Sequence, residues 1–404
     1  METPAWVPSR DLARVHSAAD VVAGVAALRT AYGLDGDAER WICVSEKDEG
    51  GADADADTDA DTDADTDADA DADTDAEADD SFETHYVQTW LRGAIACSCK
   101  HAPEHVDACA ELLVHLAGQS AAGARQCTYR FFLACAASAD DAVATVHIRD
   151  IALTDDALGG RTWGAAPYLA RRLLRHYAAQ APTAVLELGA GTGLAGLALH
   201  AFTRTQHAVA PHTVLTDHHA VVLHNLAYNA AANADATACR VAHLDWQHVY
   251  EEEEEENEKE EEHGARAAAR APYTSTAQTV PAANDAAVRA FAHVPRDARF
   301  DVLIAADCIY DVAHAAWIAA VTRRHLARTG TPTPALHLLV PMRPTHTAEL
   351  QAVYDVLGAA PFRIVRDTAV MGTDDFGPAT MRARAARTLH GRRVAFRHLV
   401  VGWA

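Results

Sequence analysis

The chain has 404 residues, 50% of them apolar, and a formal net charge of −23. That length suggests two or three domains at roughly 100–200 residues each. Residues 51–80 hold 14 Asp and one Glu, residues 251–262 hold ten Glu and one Lys, and the rest of the chain is left at +1, which excludes a uniformly basic nucleic-acid binder.

Residues 1–45 read as helical, because apolar residues recur every three or four positions through DLARVHSAADVVAGVAALRTAYGL. The METPAWVPSR start has no apolar leader, and no apolar run approaches the roughly 20 residues of a membrane span. Secretion and membrane insertion are therefore not expected. The eight cysteines (Cys43, Cys97, Cys99, Cys109, Cys127, Cys135, Cys239 and Cys308) are scattered, as expected for a reducing cytoplasmic setting. Cys97 and Cys99 form the one close pair. A zinc site needs two further ligands at compatible spacing, so no metal is expected.

The tract 46–80 alternates Asp with Ala or Thr, has nothing to bury, and reads as disordered. EHVDACAELLVHLAG and ARQCTYRFFLACAA then read as helices, so residues 1–145 are expected to form a small N-terminal helical region around the acidic tract. From about 146 the pattern changes. VHIRDIAL reads as a strand, TWGAAPYLARRLLRHYAAQ as a helix, TAVLELG as a buried strand and LAGLALHAF as a helix. HTVLTD, CRVAHLDW, FDVLIAAD, ALHLLVPM, FRIVRD and RRVAFRHLVVGW follow as strands, with the helix AVVLHNLAYNAAANA after the first of them. Alternating strands and helices predict a layered α/β domain over 146–404 with a mostly parallel sheet. The last strand has little room for a crossover helix and is expected to pair antiparallel. Residues 247–297, with their Glu run, read as a disordered insertion.

The strongest local signal is Glu187-Leu188-Gly189-Ala190-Gly191-Thr192-Gly193, where a strand runs through glycines into a helix. Such a turn lets a ligand approach the backbone and presents helix N–H groups to it. It suits a phosphate or an amino-acid carboxylate, and residues 191–196 literally match the G-x-G-x-x-G dinucleotide fingerprint. Asp217, ending the next strand, suits a ribose hydroxyl in either case. Glu187 tilts the balance: a carboxylate there repels a pyrophosphate and attracts an ammonium group. Taken singly, Trp163 and Trp246 also suit core packing, Tyr310 a strand end, and Asp217 and Asp307 loop entry.

ELGAGTG, followed by VLTD, LDW and the tetrad Asp307-Cys308-Ile309-Tyr310, resembles the seven-β-strand protein-lysine methyltransferases with an Asp-x-x-Tyr signature. Gly160-Arg161-Thr162-Trp163-Gly164 and the spacing of Asn225, Asn229 and Asn233 share that likeness. VTRRHL and LLVPMRP are similar to fungal enzymes that methylate translation elongation factor 2. The resemblance implies an α/β fold, a Rossmann-like seven-stranded methyltransferase sheet with a small N-terminal helical region. It implies S-adenosyl-L-methionine as cofactor, with Gly189, Gly191 and Gly193 along its methionine part and Glu187 near its amino group. Asp217 is then expected at the ribose, Asp245 and Trp246 at the adenine, and Trp163 closing the pocket. Asp307 and Tyr310 fall where methyl group and acceptor nitrogen meet. The expected partner is a protein, an elongation factor, met by a monomer without direct contact to nucleic acid or membrane. The alternatives are a nicotinamide-dependent oxidoreductase and a non-catalytic module that binds the same cofactor.

Overall fold

A computed structural model of the chain describes residues 21–26, 38–44, 90–96, 103–116, 124–133, 141–151, 158–208, 210–234, 238–263, 287–342, 346–374 and 392–404. The acidic tract expected over 46–80 lies outside the described residues.

In the smaller of two compact units, short helical stretches over 21–26 and 90–96 and helix α1 (Val106–Leu116) bury Val21, Val25, Trp90, Leu91, Cys109 and Leu112.

The larger unit takes residues 39–44, 124–372 and 393–404 of the described chain. It holds a three-stranded sheet of β1 (Ala38–Cys43), β2 (Arg125–Phe132) and β3 (Ala144–Asp150), in that order. It also holds a seven-stranded sheet of β4 (Ala184–Leu188), β5 (His212–Asp217), β6 (Cys239–His243), β7 (Val302–Ala306), β8 (Ala335–Pro341), β9 (Phe362–Asp374) and β10 (Arg392–Trp403). Its order is β6-β5-β4-β7-β8-β10-β9. The pairs β4–β5, β5–β6, β4–β7 and β7–β8 are parallel. β10 runs antiparallel to β8, as expected for the last strand. The seven-stranded Rossmann-like sheet is thus present. Strand order reverses between β4 and β7, and ligands of such sheets bind outside the carboxyl ends at that point.

Helices cover both faces: α2 (Ala165–His176), α3 (Leu194–His207), α4 (Ala220–Asn233), α5 (Trp246–His263), α6 (Ala313–His325) and α7 (Thr347–Leu357). The central strands are therefore apolar on both sides. Every residue of β8 is buried, as are four of the five in β7.

Four expectations need correction. The helical reading of residues 1–45 fails over Ala38–Cys43, which form strand β1 beside β2. The domain boundary placed at 145/146 falls at 123/124, because β2 and β3 pack with the large sheet's unit. The helix read into ARQCTYRFF is strand β2, antiparallel to β3 from Arg125↔Asp150 to Phe131↔Ala144. Thr, Tyr and two Phe favour a pleated surface, and that preference outweighs the alanines that follow. The disordered insertion over 247–297 is in part ordered. Its Glu run forms α5, and Glu252, Glu253 and Glu256 pair with Arg324, Arg323 and Arg296. Glutamate is a good helix former, and the α6 arginines offset its self-repulsion. Residues past the run return to the sheet, where the His243 N–H donates to the Ala292 carbonyl at 2.9 Å. Residues 264–286 lie outside the described residues.

Asn225, Asn229 and Asn233 pair α4 to the main chain of β3. The Asn229 Oδ1 accepts from the Arg149 N–H (2.8 Å) and the Asn233 Oδ1 from the His147 N–H (2.7 Å). Their amides return bonds to the Arg149 and His147 carbonyls, joined by the Asn225 amide to Arg149. Four helical residues rise about 6 Å and two strand residues about 6.8 Å, so i, i+4 on a helix matches i, i+2 on a strand. Asn229 also donates to the Thr192 carbonyl in the glycine turn (3.0 Å). Asn229→Ala strands these main-chain groups and should lower unfolding free energy by about 3 kcal/mol in a urea titration. Asn233→Ala, at the exposed end of the ladder, should lose less.

Candidate active site

β4 ends in the Glu187–Gly193 turn, and α3 begins at Leu194. Gly189, Gly191 and Gly193 all have positive φ (57°, 57° and 83°), where a side chain is strained. The turn is closed by the Ala190 N–H to the Thr216 carbonyl and the Gly193 N–H to the Ala190 carbonyl, both 2.7 Å. A Cβ on Gly191 would stand 2.9 Å from the Gly159 carbonyl oxygen, and one on Gly193 2.6 Å from Leu226. These two glycines serve the protein's own packing. A Cβ on Gly189 would meet the Trp246 ring at 3.1 Å and Cys308 at 3.3 Å, which places both residues over the turn.

Asp217 ends β5 beside the turn. Its Oδ2 accepts from the Gly191 N–H (3.2 Å), and its Oδ1 from the His218 (2.8 Å) and His219 (3.1 Å) N–H groups. Asp245 follows β6 and caps α5, accepting the His248 N–H at 3.2 Å. It stays half-buried, and Trp246 starts the helix. Asp307 ends β7 with φ 52°, a left-handed conformation unusual for a residue with a side chain; its N–H donates to the Leu339 carbonyl (3.0 Å). Non-glycine strain of this kind clusters at functional sites. Tyr310 is 55% exposed, yet surrounding protein and then the Asp217 carboxylate push its phenol up to about 12. It is neutral at pH 7. Burial and the nearby carboxylates of Asp307, Asp217 and Glu187 likewise raise the Cys308 thiol, which makes it packing rather than a nucleophile.

Glu187 departs from expectation. It is 2% exposed, and its Oε2 accepts the Gly196 N–H in the first turn of α3 (3.0 Å). Burial pushes the carboxyl up to about 8. It is therefore mostly neutral and supports α3; it is not a counter-charge at the ligand side of the turn. The carboxylate that does hold the turn is that of Asp217, on the Gly191 N–H.

The segment carrying Trp163 is held on the turn through Asp150 and Arg125, which the sequence did not single out. The Thr162 hydroxyl donates to the buried Asp150 carboxylate (2.8 Å) and lies 2.8 Å from the Thr192 hydroxyl. Asp150 also takes the Thr162 N–H and the Arg125 Nε–H, both at 3.0 Å. Trp163 is half-buried, and its carbonyl accepts from Ala166 at the start of α2. Trp246 and Cys308 thus stand over Gly189, Asp217 is bound to the same turn and lies near Tyr310, and Asp245 and Asp307 follow the ends of β6 and β7. Among the described residues no group of three or more His, Cys, Asp or Glu could hold a metal ion, and no helix is long and apolar enough to cross a membrane.

Residues 146–261 match a family model described as lysine methyltransferase. The chain is 23% identical over 246 residues to the protein-lysine N-methyltransferase EFM2 of Saccharomyces cerevisiae, covering 58% of this chain and 49% of that protein. It is 25% identical over 248 residues to the protein-lysine N-methyltransferase rrg1 of Schizosaccharomyces pombe, covering 59% of this chain and 65% of that one. The chain therefore spans 49% and 65% of the length of these two curated relatives. Among solved structures, a putative SAM-dependent methyltransferase from Streptococcus mutans is similar at 10% identity and a TM-score of 0.36, covering 74% of this chain and 65% of that one.

Proposed function

We propose that this chain, whose residues 146–261 match the lysine methyltransferase family, is an S-adenosylmethionine-dependent protein-lysine N-methyltransferase. The observation that carries the reading is the match of residues 146–261 to the lysine methyltransferase model, on a glycine turn whose Gly191 N–H is held by Asp217. A ligand with hydroxyls, an amine and a cationic sulfur meets acceptors. Asp217 has lone pairs left for ribose hydroxyls, and half-buried Asp245 for the adenine amine. Trp246, lying over Gly189, walls the adenine side, and Trp163 closes the other. The glycine turn admits the methionine part.

The bound cofactor supplies an electrophilic methyl group on a sulfonium. The protein's task is alignment of acceptor nitrogen, methyl carbon and sulfur at near-attack distance. Asp307, locked at the end of β7, orients the acceptor amine, and the neutral Tyr310 ring flanks it. A lysine with a pKa of about 10.4 is neutral in fewer than about one in a thousand molecules at pH 7. Asp307 as an anion favours the ammonium form, so it positions the amine, and the proton leaves to solvent before the site closes. The likeness of VTRRHL and LLVPMRP to the fungal enzymes favours elongation factor 2 as acceptor.

Incubation with tritiated adenosylmethionine and a ribosome-associated protein fraction tests this, with mass spectrometry of the labelled band. Label on a lysine of an elongation factor is the expected result. Calorimetry should find adenosylhomocysteine binding and no NAD binding. NAD binding alone would establish the oxidoreductase, and adenosylhomocysteine binding with no label in any lysate protein the non-catalytic module.

A further inference from the structure

We propose that His314 is a positioning residue of this site, fixing the 307–310 turn and the Trp246 ring relative to one another; the proposal rests on the methyltransferase reading above. His314 lies in the first turn of α6 and is 5% exposed. Its Nδ1 stands 3.1 Å from the Cys308 carbonyl oxygen. The Tyr310 N–H stands farther from the same nitrogen, at 3.5 Å; the nearer partner is the carbonyl, which only accepts, so Nδ1 carries the proton and donates to it. That bond holds the Cys308–Ile309 peptide, one residue past the strained Asp307. The same ring stands edge-on to Tyr310 (centroids 4.4 Å apart, 85°) and to Trp246 (6.0 Å, 89°). Trp317, one turn along α6, tilts against it at 5.2 Å. One buried imidazole thus touches the carbonyl between Asp307 and Tyr310, the Tyr310 ring, and the indole over Gly189.

The two halves of this role separate chemically. The N–H fixes the turn that bears Asp307 and Tyr310, and therefore the acceptor's geometry. The ring supports Trp246, and therefore the cofactor's pocket. Asparagine places an amide N–H where Nδ1 stands and removes the ring. Phenylalanine keeps a ring and removes the donor. His314→Phe should lower the methyl-transfer rate at saturating cofactor about 100-fold, the scale of roughly 1 Å of misplacement, and leave adenosylhomocysteine affinity within threefold. His314→Asn should recover most of the rate and weaken adenosylhomocysteine binding about tenfold.

The experiment measures three quantities on the full chain and both variants. They are tritium transfer to the ribosome-associated fraction, calorimetric affinity for adenosylhomocysteine, and hydrogen exchange of the 307–310 amides. The exchange readout needs no acceptor: it should accelerate at least tenfold in His314→Phe and stay near wild type in His314→Asn. Rate, affinity and exchange changing in parallel in both variants, or not at all, would overturn the proposal. A wild-type protein that binds no adenosylhomocysteine would instead overturn the methyltransferase reading on which it stands.

Discussion

Asp307→Asn should leave the protein folded and slow methyl transfer by about 100-fold, or about 2.7 kcal/mol of transition-state stabilisation. Asp307 sits at φ 52° at the carboxyl end of β7, and its N–H is tied to Leu339 on β8. Asparagine tolerates that conformation about as well as aspartate, so the substitution removes charge and little else. Asp307→Gly sharpens the test. Glycine relieves the left-handed strain, which costs a side chain about 1 kcal/mol, and it also removes the carboxylate. It should therefore raise the melting temperature while abolishing activity. Opposite signs in the two measurements are expected only if the strain is retained for the chemistry. A glycine variant that is both less stable and inactive would make Asp307 a structural residue. An asparagine variant at full rate would remove the carboxylate from the mechanism.

What the sequence disclosed about this site follows from how local each cause is. β4, the glycine turn and α3 are contiguous, and the apolar run, the positive-φ glycines and the helix are each local signals. Asp217, Asp245 and Asp307 were legible because each directly follows its strand's apolar residues. The errors lie where the three-dimensional course of the chain, over nine residues or over eighty, decides a side chain's partner. Glu187 looks like a ligand until α3 folds back and gives it the Gly196 N–H. The Glu run looks like solvated coil until Arg323 and Arg324, some seventy residues later, line α6 beside it. The Asn225–Asn229–Asn233 spacing announces a polar helix face, but its use as a substitute strand requires β3, 80 residues earlier. His314 is one of 23 histidines, with no local sign that it stands among Tyr310, Trp246 and the Cys308 carbonyl.

Three buried groups pull stability in opposite directions with pH: their combined contribution to unfolding free energy should peak near pH 6.5 and fall by about 1.4 kcal/mol by pH 5 and by about 0.9 kcal/mol by pH 8. His337 on β8 and His398 on β10 are buried side by side. The Arg172 Nε–H donates to His398 Nδ1 at 2.7 Å, so His398 carries its proton on Nε2. That proton points at His337 Nδ1, 3.3 Å away, and His337 in turn presents its Nε2–H to the Tyr177 oxygen at 3.0 Å. A second proton on either ring would face another donor, so both stay neutral. Burial, with Arg172, His176 and Arg366 nearby, pushes His337 down to about 3 and His398 well below its usual value. The unfolded chain takes up both protons near pH 6.5 and the folded one does not, so stability is intact above 6.5 and lost as pH falls. The two rings together lose about 4 kcal/mol by pH 5. Glu187 acts with the opposite sign. Its folded value is raised to about 8, so the folded state holds a proton that the unfolded chain releases near pH 4.5. Stability is lost as pH rises through that window, about 1.4 kcal/mol per unit. Well below pH 6.5 the histidines win by one proton; above it their effect fades over about one pH unit and Glu187 dominates. Glu187→Gln keeps an acceptor for the Gly196 N–H and removes the ionisation. Urea titrations of that variant should show no alkaline decline and the full loss of about 4 kcal/mol by pH 5. A Glu187→Gln profile that superimposes on the wild type would mean that the carboxyl is ionised in the folded protein, and its place under α3 would then need a counter-charge.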